Sequence, residues 1–232
     1  MPKINFYTFS FRNPARKARM EEQFKAEGIP LNFVEPVQST DPRLAKAPDN
    51  LKRLWGIMFS HLDMLDQFLK SDADFGVFCE DDIRLKKNIR SMLPEVMLQF
   101  RRHNLEILLL SCLCPYVPVE IQVHQTHGVL EHPNVYLTYD TNLWGAHMYM
   151  LDRMTAQKML AKYNLAYAEE TLTNPNLIHF SPDWTLTKDA TKKAAIYPMF
   201  SLESGEVATD HEFQVMFHKQ SFEAHFNPDV YY

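Results

Sequence analysis

The chain has 232 residues, 46% of them apolar, and sets 24 basic against 29 acidic side chains for a formal charge of −5. That length builds one substantial packed domain or two small ones. The acidic balance argues against generic electrostatic binding to nucleic acid or to anionic membranes. The cysteines number three, Cys79, Cys112 and Cys114, two of them within an apolar run. An odd count of this kind reads as reduced thiols in the cytosol rather than a disulfide framework. A Cys-x-Cys pair without a second pair does not fit a structural zinc site. The opening residues lack a secretory leader, and no stretch of about 18 uncharged apolar residues reads as a membrane span. A cytoplasmic protein is therefore expected.

In chain order, residues 4–11 (INFYTFSF) predict a first strand. Asn13-Pro14 then starts a helix, since proline suits the first helical position. The helix runs to about residue 26 and stops at Gly28. Residues 31–37 (LNFVEPV) predict a second strand, and a proline-punctuated loop fills 38–50. From 51 to 69, Leu54, Met58, Leu62, Leu65 and Leu69 recur at helical spacing. A short apolar run, 75–79 (FGVFC), predicts a buried strand. A helix over 89–103, a strand over 105–112, and short strands and loops over 117–139 follow. Then come a strand over 147–151, a helix over 154–163, a late strand over 196–202 and a polar tail. No repeat or low-complexity linker marks a boundary, so 1–232 reads as a single domain. Strands alternating with helices imply an α/β sheet with parallel strands.

The buried strand 75–79 ends abruptly in Glu80, Asp81 and Asp82. In an open α/β sheet, ligands bind beyond the carboxyl ends of the strands. Three crowded carboxylates repel one another unless a cation or hydrogen-bond donors compensate. A hard divalent cation on one or two of them, its shell completed by diphosphate oxygens, meets that demand. The alternative is an acidic turn capping the next segment.

Several motifs line up with this triplet: RNPARKARMEEQFKAEGI, NFVEP, GIMFSH, FCEDDI, WGAHMYMLDRMTAQKML, SPDWTL and IYPMFSLES. Together they resemble glycosyltransferase family 25, the lipooligosaccharide and procollagen galactosyltransferases. That family orders an Arg-containing first helix, a Gly-x-x-x-Ser-His segment, a Glu-Asp-Asp triplet, a Gly-x-x-x-Tyr stretch and a late Asp. Ile57 stands where the family often has cysteine, and the tail after Ser204 has no counterpart in the pattern. The resemblance implies a glycosyltransferase A-type fold, a Rossmann-like mixed sheet flanked by helices. Its nucleotide-sugar half would cover about 1–115 and its acceptor half about 116–232. It implies a metal-dependent hexosyltransferase using Mn²⁺ or Mg²⁺. Such an enzyme moves a hexose from a nucleotide-diphosphate sugar, a UDP-sugar first, to a glycan or glycoconjugate hydroxyl with inversion.

Glu80 and Asp82 flank Asp81 and point the same way if the segment is extended. Asp82 is assigned to the metal, Glu80 to ribose, metal or metal-bound water, and Asp81 to the nucleotide sugar. Arg12 and Arg16 suit a diphosphate; a solvated helix face is the alternative for Arg16. Thr8 and Phe9 meet either the nucleobase or the core. Glu35 joins the nucleotide-sugar contacts on the resemblance alone. Ser60 and His61 belong either to the site or to the core of their helix, and Gly56 permits close backbone approach to a ligand. Trp144 and Gly145 fit sugar stacking or a packed loop. Asp183 is the candidate base, because inverting transfer needs a carboxylate to take the acceptor proton; a helix N-cap is the alternative. Asp140, Glu203 and Asp210 are further carboxylates for that role. Among His211, His218 and His225, His211 is the first choice for a late metal ligand. Their seven-residue spacing also fits one face of a surface helix. Two other classes share the triplet. One is a metal-dependent nucleotide-sugar hydrolase or phosphoesterase, indifferent to acceptor. The other is a non-catalytic binding module for a glycan or nucleotide sugar, which turns nothing over.

Overall fold

Strand β1 (Ile4–Thr8) and helix α1 (Pro14–Ala26) open the chain. The Asn13 side chain accepts from the Arg16 N–H, and Pro14 occupies the first turn, so local chemistry sets where α1 begins. Gly28, at φ +63°, ends it. Strand β2 (Leu31–Phe33) precedes the long helix α2 (Asp49–Lys70). Strands β3 (Phe75–Cys79) and β4 (Ile83–Leu85), helix α3 (Ile89–Arg102) and strand β5 (Ile107–Leu109) follow. Then come β6 (Val135–Thr138), β7 (Met148–Asp152), α4 (Arg153–Lys162) and α5 (Leu165–Glu170). A π-helical turn (Pro182–Lys188), β8 (Lys193–Tyr197), β9 (Ser201–Glu203) and α6 (Glu212–His225) complete the order. This computed structural model describes residues 2–116, 134–139, 143–206 and 212–232. Asp140, Asp210, His211 and most of the 117–139 segment lie outside the described residues.

Seven strands form a mixed sheet in the order β2-β1-β3-β7-β5-β8-β6, and β4 pairs with β9 in a separate two-stranded sheet. β1 runs parallel to β2 and β3, and β5 parallel to β8; β7 is antiparallel to both neighbours, and β6 to β8. The expected mixed α/β sheet flanked by helices is present, with parallel pairs at β2-β1-β3 and β5-β8 and antiparallel pairs around β7 and at β6. Side chains alternate across it with period two. Tyr7, Phe78, Tyr149 and Leu151 join a core with Trp55, Phe59 and Phe68 of α2. Phe6, Val77, Met148 and Met150 join a second core with Phe24 of α1 and Val96 and Phe100 of α3. Burial on both faces is why β3 reads as a continuous apolar run.

Several boundaries differ from expectation. β1 stops at Thr8, short of residue 11, and the Ser10 hydroxyl turns to Asp81. β2 stops at Phe33, before Pro36, whose ring nitrogen has no hydrogen to give a ladder. The single strand expected over 196–202 is two strands around Pro198; β9 leaves the main sheet to pair with β4. The polar tail contains α6, and its final residues return to the fold: Lys87 N–H donates to Val230 O (2.8 Å) and Tyr232 N–H to Leu85 O (3.0 Å). Among the described residues, no helix is long and apolar enough to cross a membrane.

Candidate active site

β1 and β3 end side by side, Thr8 opposite Cys79, and the chain turns outward beyond each. A cavity of about 600 Å³ opens there, between these strand ends and α2. Of the residues singled out from sequence, Phe9, Arg16, Gly56, Ser60, Glu80, Asp81 and Asp82 line it. Thr8 is fully buried beneath. Arg12 is exposed, with its guanidinium 5.2 Å from the Phe11 ring centre, and stays out of the lining. Glu35 lines a separate cleft with Asn32 and Asp63. Ser60 has a structural bond: its hydroxyl accepts from Val37 N–H (2.9 Å) and donates to Gly56 O (2.8 Å), fixing the 34–38 segment to α2.

Glu80 directly follows β3 while Asp81 and Asp82 occupy a turn, and each acid meets different partners. Glu80 lies 3.4 Å from His61 Nε2, and His61 Nδ1 is 3.0 Å from the Tyr149 hydroxyl. His61 is fully buried and also meets the Phe9 ring edge-on. It thus belongs to the core and supports Glu80 at once. Asp81 accepts from Ser10 Oγ (2.5 Å) and from Arg16 Nη1 (3.4 Å). Asp82 Oδ2 accepts from the same Arg16 nitrogen (3.2 Å), whereas its Oδ1 is buried with no hydrogen-bond partner. Arg16 and Arg19 also grip Glu206. Burial, and next the Glu80 charge, push the Asp82 carboxyl up to about 7. Burial pushes Glu80 upward too, but the His61 hydrogen bond and nearby positive charges prevail and hold it low.

Behind the triplet lies a second group that the sequence reading did not assemble. β7 runs antiparallel to β3, so its start sits at the far end of β3, and Glu80 N–H donates to His147 O (3.0 Å). β9 pairs Glu203 with Ile83, the residue after Asp82. α6 brings His218, whose Nδ1 is 2.9 Å from Glu203 Oε2. One ligand atom from each of His147, Glu203 and His218 falls within 4.8 Å of the others. His147 Nδ1 is buried and has no hydrogen-bond partner. Burial lowers the proton affinity of His147, but Glu80, Asp82, Glu203 and Asp183 together raise it. Buried donors without partners amid clustered carboxylates are a donor set that fits a divalent cation.

Asp183 sits in the first turn of the π-helical segment but caps nothing there; its Oδ1 accepts from Gly145 N–H (2.7 Å). The helix-cap alternative is thereby corrected to a tie across to the loop before β7. Trp144, exposed on one side, meets Trp184 edge-on (5.6 Å), and Lys188 Nζ lies over both rings.

The sequence pattern of glycosyltransferase family 25 (LPS biosynthesis protein) matches residues 4–173. No curated protein is similar enough to the chain to match it. Among solved structures, similarity extends to the crystal structure of a glycosyltransferase involved in the glycosylation of the major capsid of PBCV-1. That likeness has 14% identity and a TM-score of 0.29, over 72% of this chain and 70% of that one. With most of its length matched by the family pattern, the chain belongs to glycosyltransferase family 25 and is a glycosyltransferase.

Proposed function

We propose that the protein transfers a hexose from a nucleotide-diphosphate sugar, a UDP-sugar first, to a hydroxyl of a glycan or glycoconjugate, with inversion and with divalent-cation assistance. The observation that carries this reading is the cavity itself. It is lined by Phe9, three carboxylates and Arg16 at the carboxyl ends of β1 and β3. An aromatic face suits a nucleobase, and a cation held by acids beside a guanidinium suits a diphosphate. Asp82 and Glu80 hold the ion, Mn²⁺ or Mg²⁺. The ion, when bound, supplies positive charge where the departing nucleoside diphosphate becomes negative. Arg16 shares that load, and His61 fixes the direction of Glu80.

The acceptor side falls to residues after 116. Asp183 is the base: one oxygen is held by Gly145 N–H, and the other takes the proton from the attacking hydroxyl. Trp144, 39% exposed, offers aromatic surface for an acceptor sugar. A cytoplasmic site of action is part of this reading, supported by three free cysteines, Cys79, Cys112 and Cys114.

The test is a thermal-shift panel of nucleotide sugars with and without Mn²⁺, followed by nucleotide release with and without candidate acceptors. A donor at about 100 times its Kd should raise stability by about 2.7 kcal/mol. Acceptor should then accelerate nucleotide release. Release indifferent to every acceptor would transfer the assignment to a hydrolase, and binding without turnover to a carrier module.

A further inference from the structure

We propose that His147, Glu203 and His218 form a nitrogen-rich cation site, built for a first-row transition ion such as Mn²⁺, Co²⁺ or Zn²⁺ rather than Mg²⁺. The inference refines the metal-assisted reading above and rests on it for what the ion does, though not for its binding.

Geometry comes first. Ligands at about 2.1 Å from one ion stand about 3 Å apart when adjacent and about 4.2 Å apart when opposite. The three ligand atoms lie within 4.8 Å of one another, and the His218–Glu203 edge is already 2.9 Å. The two edges to His147 are no longer than 4.8 Å. Burial comes second. His147 and Glu203 are each 6% exposed, and the buried His147 Nδ1 and Asp82 Oδ1 lack hydrogen-bond partners. Buried polar atoms are satisfied in the great majority of cases, so two unsatisfied ones in one neighbourhood need an account. Charge comes third. Glu80, Asp82, Glu203 and Asp183 all set negative charge near His147, which a bound cation would compensate. Arg16 offsets Asp81 and Asp82 from the other side, on α1.

An ordinary His218–Glu203 ion pair explains one edge of this arrangement but not the third member. His147 directly precedes β7 and is brought there by the β3–β7 register, and Glu203 by the β4–β9 register. The donor set also names the class of ion. Imidazole suits the later first-row ions, and affinity rises from Mn²⁺ through Co²⁺ toward Cu²⁺. Mg²⁺ prefers oxygen and parts with its waters reluctantly.

The experiment uses the full chain with metal alone, in the absence of donor and acceptor. Mn²⁺ and Co²⁺ binding are titrated by calorimetry and by the Co²⁺ absorption spectrum, with Mg²⁺ as competitor. The proteins are the wild type, His218→Ala, Glu203→Gln and a surface control, His103→Ala. Wild type and control should bind Mn²⁺ and Co²⁺ at least tenfold more tightly than Mg²⁺. His218→Ala and Glu203→Gln should each lose at least tenfold, with the Co²⁺ bands altered. Circular dichroism checks the fold. Should the buried Glu203 change fail to fold, His218, on a more open helix, carries the test. Binding within twofold of wild type in folded His218→Ala, equal competition by Mg²⁺, or a wild type that binds none of these ions overturns the site. Absent transfer with the metal pattern intact would strike the transfer reading alone; transfer with an intact Mg²⁺ preference would strike only this site.

Discussion

The Asp82 carboxyl is pushed up to about 7 first by burial and then by the neighbouring Glu80 charge, against an ordinary value of 3.8. A carboxyl whose folded value lies above its unfolded value favours the protonated native state. Stability from this group is therefore fully present below about pH 3.8 and is lost as pH rises toward 7. Asp82→Asn, in chelator, should melt higher than wild type at pH 7 and equal to it near pH 4. The gain is on the order of 1–3 kcal/mol, a few degrees in a chain of this size. A variant that melts lower at pH 7 would show that the Arg16 ion pair outweighs the repulsion. Asp183 separates structure from chemistry in the opposite way. Asparagine keeps the oxygen that accepts from Gly145 N–H, so Asp183→Asn should fold and bind donor as wild type does. Turnover should fall about 10²–10⁴-fold if this carboxylate takes the acceptor proton. Steady-state kinetics decide it; near-normal kcat would move the search for the base to the carboxylates outside the proposed cation site, Asp140 and Asp210.

At the scale of the element, the loop that leads into β7 depends on one glycine. Gly145 sits at φ +112°, and a β-carbon there would lie 2.3 Å from His147 Nδ1. Gly145→Ala combines a backbone conformation that L side chains rarely adopt with a direct collision. It should lower stability by about 2–4 kcal/mol and weaken Mn²⁺ binding together, read by thermal melts and metal titration. An unaffected metal affinity would separate His147 from the ion. The elements themselves were legible where local chemistry sets them. Asn13-Pro14 and Gly28 bracket α1, the 3.6-residue spacing of Leu54 to Leu69 marks α2, and FGVFC marks β3 because both its faces are covered. Proline misled the reading where it was passed over: Pro36 lies beyond the end of β2, and Pro198 divides β8 from β9. The acids of the site were visible because they follow a recognisable strand. His147 was not, and Glu203 was read only as an alternative base, because their meeting depends on antiparallel registers between distant segments that no local pattern encodes.

For the molecule as a whole, the residues beyond the family pattern, which ends at 173, complete the fold rather than append to it. β9 holds β4 against the turn of the triplet, and α6 delivers His218 to Glu203. The final residues fasten both. Tyr231 bridges Lys86, its hydroxyl donates to Met199 O (2.9 Å), and its ring packs with Met199 and Leu202 while only 4% exposed. Ser221 Oγ on α6 accepts from Cys114 N–H (2.9 Å). A single aromatic side chain therefore ties the end of the chain to the small sheet that carries Asp82 and Glu203 at its edges. Tyr231→Ala should cost about 3–5 kcal/mol, as truncation of a buried aromatic does, and lower Tm by on the order of 10 °C. Because α6 loses its anchor, Mn²⁺ affinity should fall with it even though Tyr231 contacts no proposed ligand. Tyr231→Phe keeps the ring and removes one hydrogen bond, so it should cost about 1 kcal/mol and leave metal binding near wild type. If Tyr231→Ala lowers Tm while Mn²⁺ binds as before at a temperature where the variant is folded, the tail stabilises the fold without positioning the site. If both fall together and both recover in Tyr231→Phe, packing of the tail is what sets the distance between His218 and the acids.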